Sequence, residues 1–123
     1  MIRAVDHINV ATQKLEQTRA FYEDALGLMA GPRPPFAVAG YWLYAGDRPV
    51  VHLQEARSPV SPSDASALNH IAFLVDDLDA ALTGLARQGV AYELTTIPGT
   101  TTRQAFFVDP NGVRLELNEA SRP

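Results

Sequence analysis

Two segments of this chain each occur twice. Asp6-His7-Ile8 returns as Asn69-His70-Ile71, an offset of 63 from position 7 to position 70, and the same offset carries Leu15 onto Leu78. Further on, Val51-His52-Leu53-Gln54-Glu55-Ala56 returns as Leu115-Glu116-Leu117-Asn118-Glu119-Ala120, an offset of 64 from position 52 to position 116. A period this long means that one supersecondary unit has been used twice, so the fold of the first half constrains the second. It also pairs His7 with His70 and His52 with Glu116.

The unit itself is legible from periodicity. Ala4 to Ala11 alternates Val5, His7 and Asn9 against Ile8 and Val10, the period of a half-buried strand. A helix follows, with Thr12 as its cap, Leu15, Thr18, Tyr22, Ala25 and Leu26 on one face, and Gly27 where the chain must leave the helix. Pro32, Pro34 and Pro35 make the next stretch loop or ragged edge. Tyr41 to Ala45 and Val50 to Glu55 then read as strands around Gly46-Asp47-Arg48-Pro49. In the second half, Asn69 to Val75 alternates again. Asp76 or Asp77 starts a helix whose face is Leu78, Ala81, Leu82 and Leu85, and Gly89 ends it. Strands over Ala91 to Thr96, Thr102 to Val108 and Val113 to Asn118 complete it, the last two joined by Asp109-Pro110-Asn111-Gly112, a type I turn sequence. The expected fold is α+β: two tandem βαβββ modules forming a curved, cup-shaped mixed sheet with helices on its outer face. At 123 residues this is one domain, with module one at about residues 1–56, a Ser/Pro/Ala-rich linker at about 57–67 and module two at about 68–123.

Composition narrows the chemistry. The formal net charge is −4 and Lys14 is the one lysine, so nothing forms a basic stripe for nucleic acid. No apolar run reaches the length of a membrane span, and the first residues lack the pattern of a signal peptide, so the expected location is cytoplasmic. With no cysteine, a transition metal has to be held by histidine and carboxylate.

Strand alternation decides which of those side chains share a face. His7 with Asn9, His52 with Gln54, His70 with Ala72, and Arg114 with Glu116 and Asn118 fall on the polar side, while Val10, Val51, Leu53, Leu115 and Leu117 fall on the side that helices cover. All three histidines and a glutamate thus occupy repeat-related positions on one strand phase. His7, His52, His70 and Glu116 form the expected ligand set of one divalent ion per site, and imidazole with carboxylate suits Zn²⁺, Ni²⁺, Fe²⁺, Co²⁺ or Mn²⁺. Around it, Arg103 and Arg114 are candidates to receive a substrate carboxylate, and Tyr41, Trp42, Phe106 and Phe107 are candidates to line a pocket.

These residues carry a resemblance. Asp6-His7-Ile8-Asn9-Val10, Ala20-Phe21-Tyr22-Glu23-Asp24-Ala25-Leu26-Gly27-Leu28, Val50-Val51-His52-Leu53, Asn69-His70-Ile71-Ala72-Phe73 and Phe107-Val108-Asp109-Pro110-Asn111-Gly112-Val113-Arg114-Leu115-Glu116-Leu117 together resemble the vicinal oxygen chelate superfamily. That superfamily includes glyoxalase I, methylmalonyl-CoA epimerase, extradiol dioxygenases, fosfomycin-resistance enzymes and bleomycin-resistance proteins. The resemblance implies that His7, His70 and Glu116 match the ligand positions shared by the metal-dependent members. His52 falls on the fourth position, where glyoxalase I-like enzymes usually carry glutamate and the epimerase glutamine, so histidine is a departure. Modules paired around each cup in a homodimer are also implied.

Among reactions, a glyoxalase I-like lyase or isomerase acting on a small 2-oxo substrate asks least of these residues: a cation at adjacent oxygens, and Glu116 as the catalytic base that moves a proton through an enediolate. A ring-cleaving extradiol dioxygenase needs more open coordination than four protein ligands leave. A non-catalytic protein that sequesters a ligand, as bleomycin-resistance proteins do, is the remaining alternative.

Overall fold

In the computed structural model, which describes residues 1–120, the chain runs β1 (Ile8–Thr12), α1 (Leu15–Asp24), β2 (Met29–Gly31), β3 (Gly40–Ala45), β4 (Arg48–Glu55), β5 (His70–Val75), α2 (Leu78–Arg87), β6 (Glu93–Thr96), β7 (Arg103–Val108) and β8 (Arg114–Glu119). It divides into two compact units, Met1–Val60 and Ser61–Pro123, each a βαβββ module. The α+β class and the tandem repeat are therefore as expected.

Each unit holds one four-stranded mixed sheet, in the order β1-β4-β3-β2 in the first and β5-β8-β7-β6 in the second. The first and last strands of a unit run parallel, which needs the long connection that the helix and two further strands supply. Register repeats along with topology. Asn9 and Trp42 flank His52 in the first sheet, and Ala72 and Phe106 flank Glu116 in the second. The offsets of 63 and 64 are thus structural equivalences.

Helix ends follow from local chemistry. The Asp77 side chain caps α2 by accepting from the Ala80 N–H at 3.0 Å. At the other end Val90 N–H donates to the Leu85 carbonyl and Gly89 N–H to that of Ala86, with Gly89 at φ 69°, a conformation that glycine adopts without Cβ strain. In α1 the cap differs from expectation. Lys14 occupies the cap position, while Thr12 ends β1 and its buried Oγ1 accepts from the Lys14 N–H at 2.9 Å and meets Thr18 Oγ1 at 3.1 Å. Thr12 and Thr18 satisfy each other beneath the helix, so the hydroxyl is spent in the core.

The apolar strand phase is the buried one in both units. Val10, Leu43, Val51 and Leu53 lie with Tyr22 of α1, and Ala105, Phe107, Leu115 and Leu117 with Leu78, Leu82 and Leu85 of α2. Gly40 belongs here for a steric reason, since a Cβ on it would stand 2.0 Å from the Leu53 carbonyl oxygen. The Ser/Pro/Ala-rich stretch is less of a linker than its composition implies. Ser63–Ala65 forms a 3-10 turn, and the Ser63 hydroxyl donates to the Asn69 carbonyl at 2.7 Å and accepts from the Arg114 N–H at 2.7 Å, tying the stretch to β5 and β8. Among the described residues no helix is long and apolar enough to cross a membrane.

Candidate functional site

The sheet face opposite each helix carries the polar candidates, and each unit presents two of the four expected ligand residues there. In the first unit His7 lies just before β1, outside the strand that the alternation had begun at Ala4. Its ring stacks on that of His52, with centroids 3.7 Å apart and planes 10° from parallel. Trp42, the cross-strand neighbour of His52, covers the other side at 4.2 Å and 14°. His52 is therefore the middle of a three-ring stack, 9% exposed. Below these rings Asn9 donates to Gln54 at 3.2 Å, as two side chains on one face should.

Hydrogen bonds assign the nitrogens. His7 Nδ1 is 2.7 Å from Asp6 Oδ2, so Nδ1–H donates to the carboxylate and the lone pair belongs to Nε2. The bond from His7 also holds the Asp6 carboxyl below its ordinary pKa. His52 Nε2–H donates to the Pro49 carbonyl at 3.0 Å. Burial, reinforced by charge repulsion from His7 and partly opposed by that carbonyl, lowers the His52 pKa, so the ring is neutral at neutral pH.

Stacking limits what the pair can do together. A ring nitrogen coordinates through a lone pair in its own plane, and two nearly parallel planes 3.7 Å apart do not meet at one ion. A sphere containing both His7 and His52 requires one of the rings to turn.

The second unit is polar where the first is aromatic. Glu116 is 6% exposed, and Gln104 Nε2 donates to its Oε1 at 3.0 Å and Asn118 Nδ2 to its Oε2 at 2.7 Å. His70 Nδ1–H donates to Asn69 Oδ1 at 2.9 Å, which leaves Nε2 with the lone pair, 3.9 Å from Glu116 Oε1. That separation is too long for a hydrogen bond and longer than the roughly 3.0–3.4 Å between neighbouring ligands of one tetrahedral or octahedral ion with bonds of about 2.0–2.2 Å, so a shared cation requires the two side chains to draw closer. His70 and Glu116 fit a cation in donor chemistry, an imidazole lone pair beside a carboxylate. Among the described residues no group of three or more His, Cys, Asp or Glu side chains is arranged to hold a metal ion; the expected four residues fall into two pairs, one in each unit.

The surrounding candidates divide by face. Trp42 and Phe106 are equivalents on the site face; Phe106 meets His70 edge-on at 6.0 Å, and the Arg114 guanidinium lies 4.6 Å over its ring. Tyr41 and Arg103 belong to the helix face instead. Tyr41 lies opposite buried Leu53 and its hydroxyl donates to Glu16 of α1. Arg103 is held by Asp79 of α2 at 2.8 Å and by Glu119 at 3.2 Å. Phe107 is a core residue for the same reason. All three corrections have one cause: Tyr41 with Trp42, Arg103 with Gln104, and Phe107 with Phe106 are neighbours in sequence, and neighbours on a strand point to opposite faces. Sequence reasoning also passed over Asp6, Asn69 and Gln104 as partners of the ligand candidates. The repeat that pairs Asp6 with Asn69 carries the signal for the first two.

Comparison with known proteins agrees with this fold. Residues 4–117 match the Glyoxalase/Bleomycin resistance protein/Dioxygenase superfamily. The chain is 33% identical over 125 residues to the uncharacterized protein YaeR of Escherichia coli K12, covering 96% of this chain and 97% of that one. To glyoxylase I 4 of Arabidopsis thaliana it is 26% identical over 123 residues, covering 94% and 70%. A structure solved for a glyoxalase family member of Bacillus anthracis superimposes with a TM-score of 0.81 at 26% identity, covering 98% of each chain.

Proposed function

Because the chain belongs to the Glyoxalase/Bleomycin resistance protein/Dioxygenase superfamily, we propose that it is a metal-dependent lyase or isomerase of the glyoxalase type, moving a proton between adjacent carbons of a small 2-oxo substrate. The observation that carries this reading is Glu116: a buried carboxylate with an amide donor on each oxygen, 3.9 Å from an imidazole lone pair. His7, His70 and Glu116 are the residues we assign to the ion, with His52 available as a fourth ligand on leaving its stack. A divalent cation held by these residues would supply positive charge to stabilise negative charge developing on the substrate oxygens. Glu116 takes the proton from one carbon and returns it to the next, and the Gln104 and Asn118 amides keep its carboxylate oriented between the two transfers. Trp42 and Phe106 flank the reacting groups with apolar surface, and Arg114 offers a cation to an acidic substrate group. We further propose a homodimer, in which His7 and His52 of one copy serve with His70 and Glu116 of the other, so that C2 symmetry yields two equivalent sites.

Metal analysis of protein purified without added metal, followed by turnover with methylglyoxal hemithioacetal, tests the reading. One divalent ion per chain and activity lost on chelation are expected. Light scattering that reports only monomer removes the dimer. A second reading rests on the ring stack: with His52 held between Trp42 and His7, two histidines and one carboxylate remain, the facial set that oxygenases use. Oxygen consumption with a catechol, coupled to a ring-opened product, selects it and removes the first reading.

A further inference from the structure

The two candidate ligands His7 and His70 share a feature that neither the repeat nor the superfamily match assigns a role. In each unit the residue immediately before the histidine accepts its Nδ1–H: Asp6 Oδ2 at 2.7 Å in the first, Asn69 Oδ1 at 2.9 Å in the second. The acceptors differ in charge. The first is a carboxylate and the second a neutral amide, which also lies 3.5 Å from Arg114 Nη1.

We propose that Asp6 and Asn69 are positioning residues that fix the tautomer of the following histidine, so that Nε2 is the nitrogen each unit offers to a cation, and that anionic Asp6 makes His7 the stronger donor of the two. The physical grounds are twofold. A neutral imidazole carries one proton, and an acceptor held 2.7–2.9 Å from Nδ1 keeps that proton on Nδ1. A carboxylate behind the ring also raises the basicity of the distal nitrogen more than an amide does, and partners of this kind typically alter metal affinity about 10–100-fold. Solvent reaches the Asp6 carboxylate, whose side chain is 86% exposed, so replacing it leaves the core untouched.

The inference rests on the metal reading, and the experiment separates the two. Zn²⁺ and Mn²⁺ titrations by calorimetry are run on the wild type and on Asp6→Ala, Asp6→Asn and Asn69→Ala, with Asp47→Asn in the exposed β3–β4 turn as a control for net charge. Asp6→Ala is expected to weaken binding about 10–100-fold and Asp6→Asn to recover most of that loss, because an amide oxygen still accepts from Nδ1. Asn69→Ala should cost less than Asp6→Ala, and the control nothing. In parallel, long-range ¹H–¹⁵N correlation spectra of the metal-free protein at alkaline pH report the tautomer directly. The wild type is expected to hold His7 and His70 as Nδ1–H forms, and Asp6→Ala to shift His7 toward Nε2–H. Unchanged affinity in Asp6→Ala, or an Nε2–H His7 in the wild type, overturns the proposal. A wild type that binds neither ion overturns the metal reading and the affinity claim together, while the spectra still decide the orientation claim.

Discussion

The two halves share a backbone and differ in what they hang on it. Strand order, parallel closure and register are the same, yet position 52 is an imidazole packed between rings and position 116 a carboxylate packed between amides. Duplication of the scaffold therefore duplicates addresses and leaves their occupants free to diverge. At that position the first half carries a ring flanked by rings, and the second a buried carboxylate with its hydrogen-bond donors.

The sharpest way to break the comparison is to remove the charge. Glu116→Gln keeps size and burial but cannot take a proton, and turnover with methylglyoxal hemithioacetal should fall by about 10²–10⁴-fold, the range of a lost general base. The new NH₂ also opposes one of the two amide donors, so denaturant unfolding should show a loss of about 1–3 kcal/mol. The symmetric comparison comes next. Leu53 and Leu117 are equivalents on the helix face, 1% and 2% exposed, and Leu53→Ala and Leu117→Ala should each cost about 2–5 kcal/mol by the same measurement. A large difference between them would show that the halves are unequal in packing as well as in chemistry.

Smaller effects sharpen the contrast. Trp42→Ala removes one face of the stack, a contact of about 0.5–1.5 kcal/mol beyond its burial, and by exposing His52 should move that pKa up toward the ordinary value, read by NMR titration. The sign for stability follows. A histidine whose folded pKa lies below its unfolded value stabilises fully above the unfolded value and loses that contribution as pH falls below it. Unfolding free energy should therefore decline from about pH 6.5 downward, less steeply in Trp42→Ala than in the wild type. Arg103→Ala should change least, under about 1 kcal/mol, because Asp79 and the arginine are both solvent-accessible. It should leave KM unmoved, since the guanidinium is on the helix face.

Much of this is legible in the sequence alone. The offsets of 63 and 64 define equivalent positions, and alternation along β1, β4, β5 and β8 separates His52, His70 and Glu116 from Val51, Leu53, Leu115 and Leu117. Alternation was equally available for β3 and β7 and would have divided Tyr41 from Trp42. What it could not supply was the phase, because neither strand carries a histidine or carboxylate to mark the site side. The ring stack was beyond sequence altogether. Trp42 and His52 meet through an antiparallel register with a bulge between Leu43 and Tyr44, and no local pattern reports such a shift. Thr12 shows the remaining limit: a hydroxyl in the right place for a cap was recruited by a buried Thr18 instead.

The parallel closure of each half has a kinetic consequence. The β3–β4 hairpin joins strands separated by Gly46 and Asp47 alone, whereas pairing Ile8 with Val51 closes nearly the whole first half into a loop. Short hairpins form within about 1–10 μs, and long closures carry an entropic cost that delays them. During folding, then, Trp42 and His52 meet early, while the segment bearing Asp6 and His7 arrives with the final strand. A pulse-labelling exchange experiment would see the amides of β3 and β4 protected before those of β1, so within the first half His7 is delivered after His52.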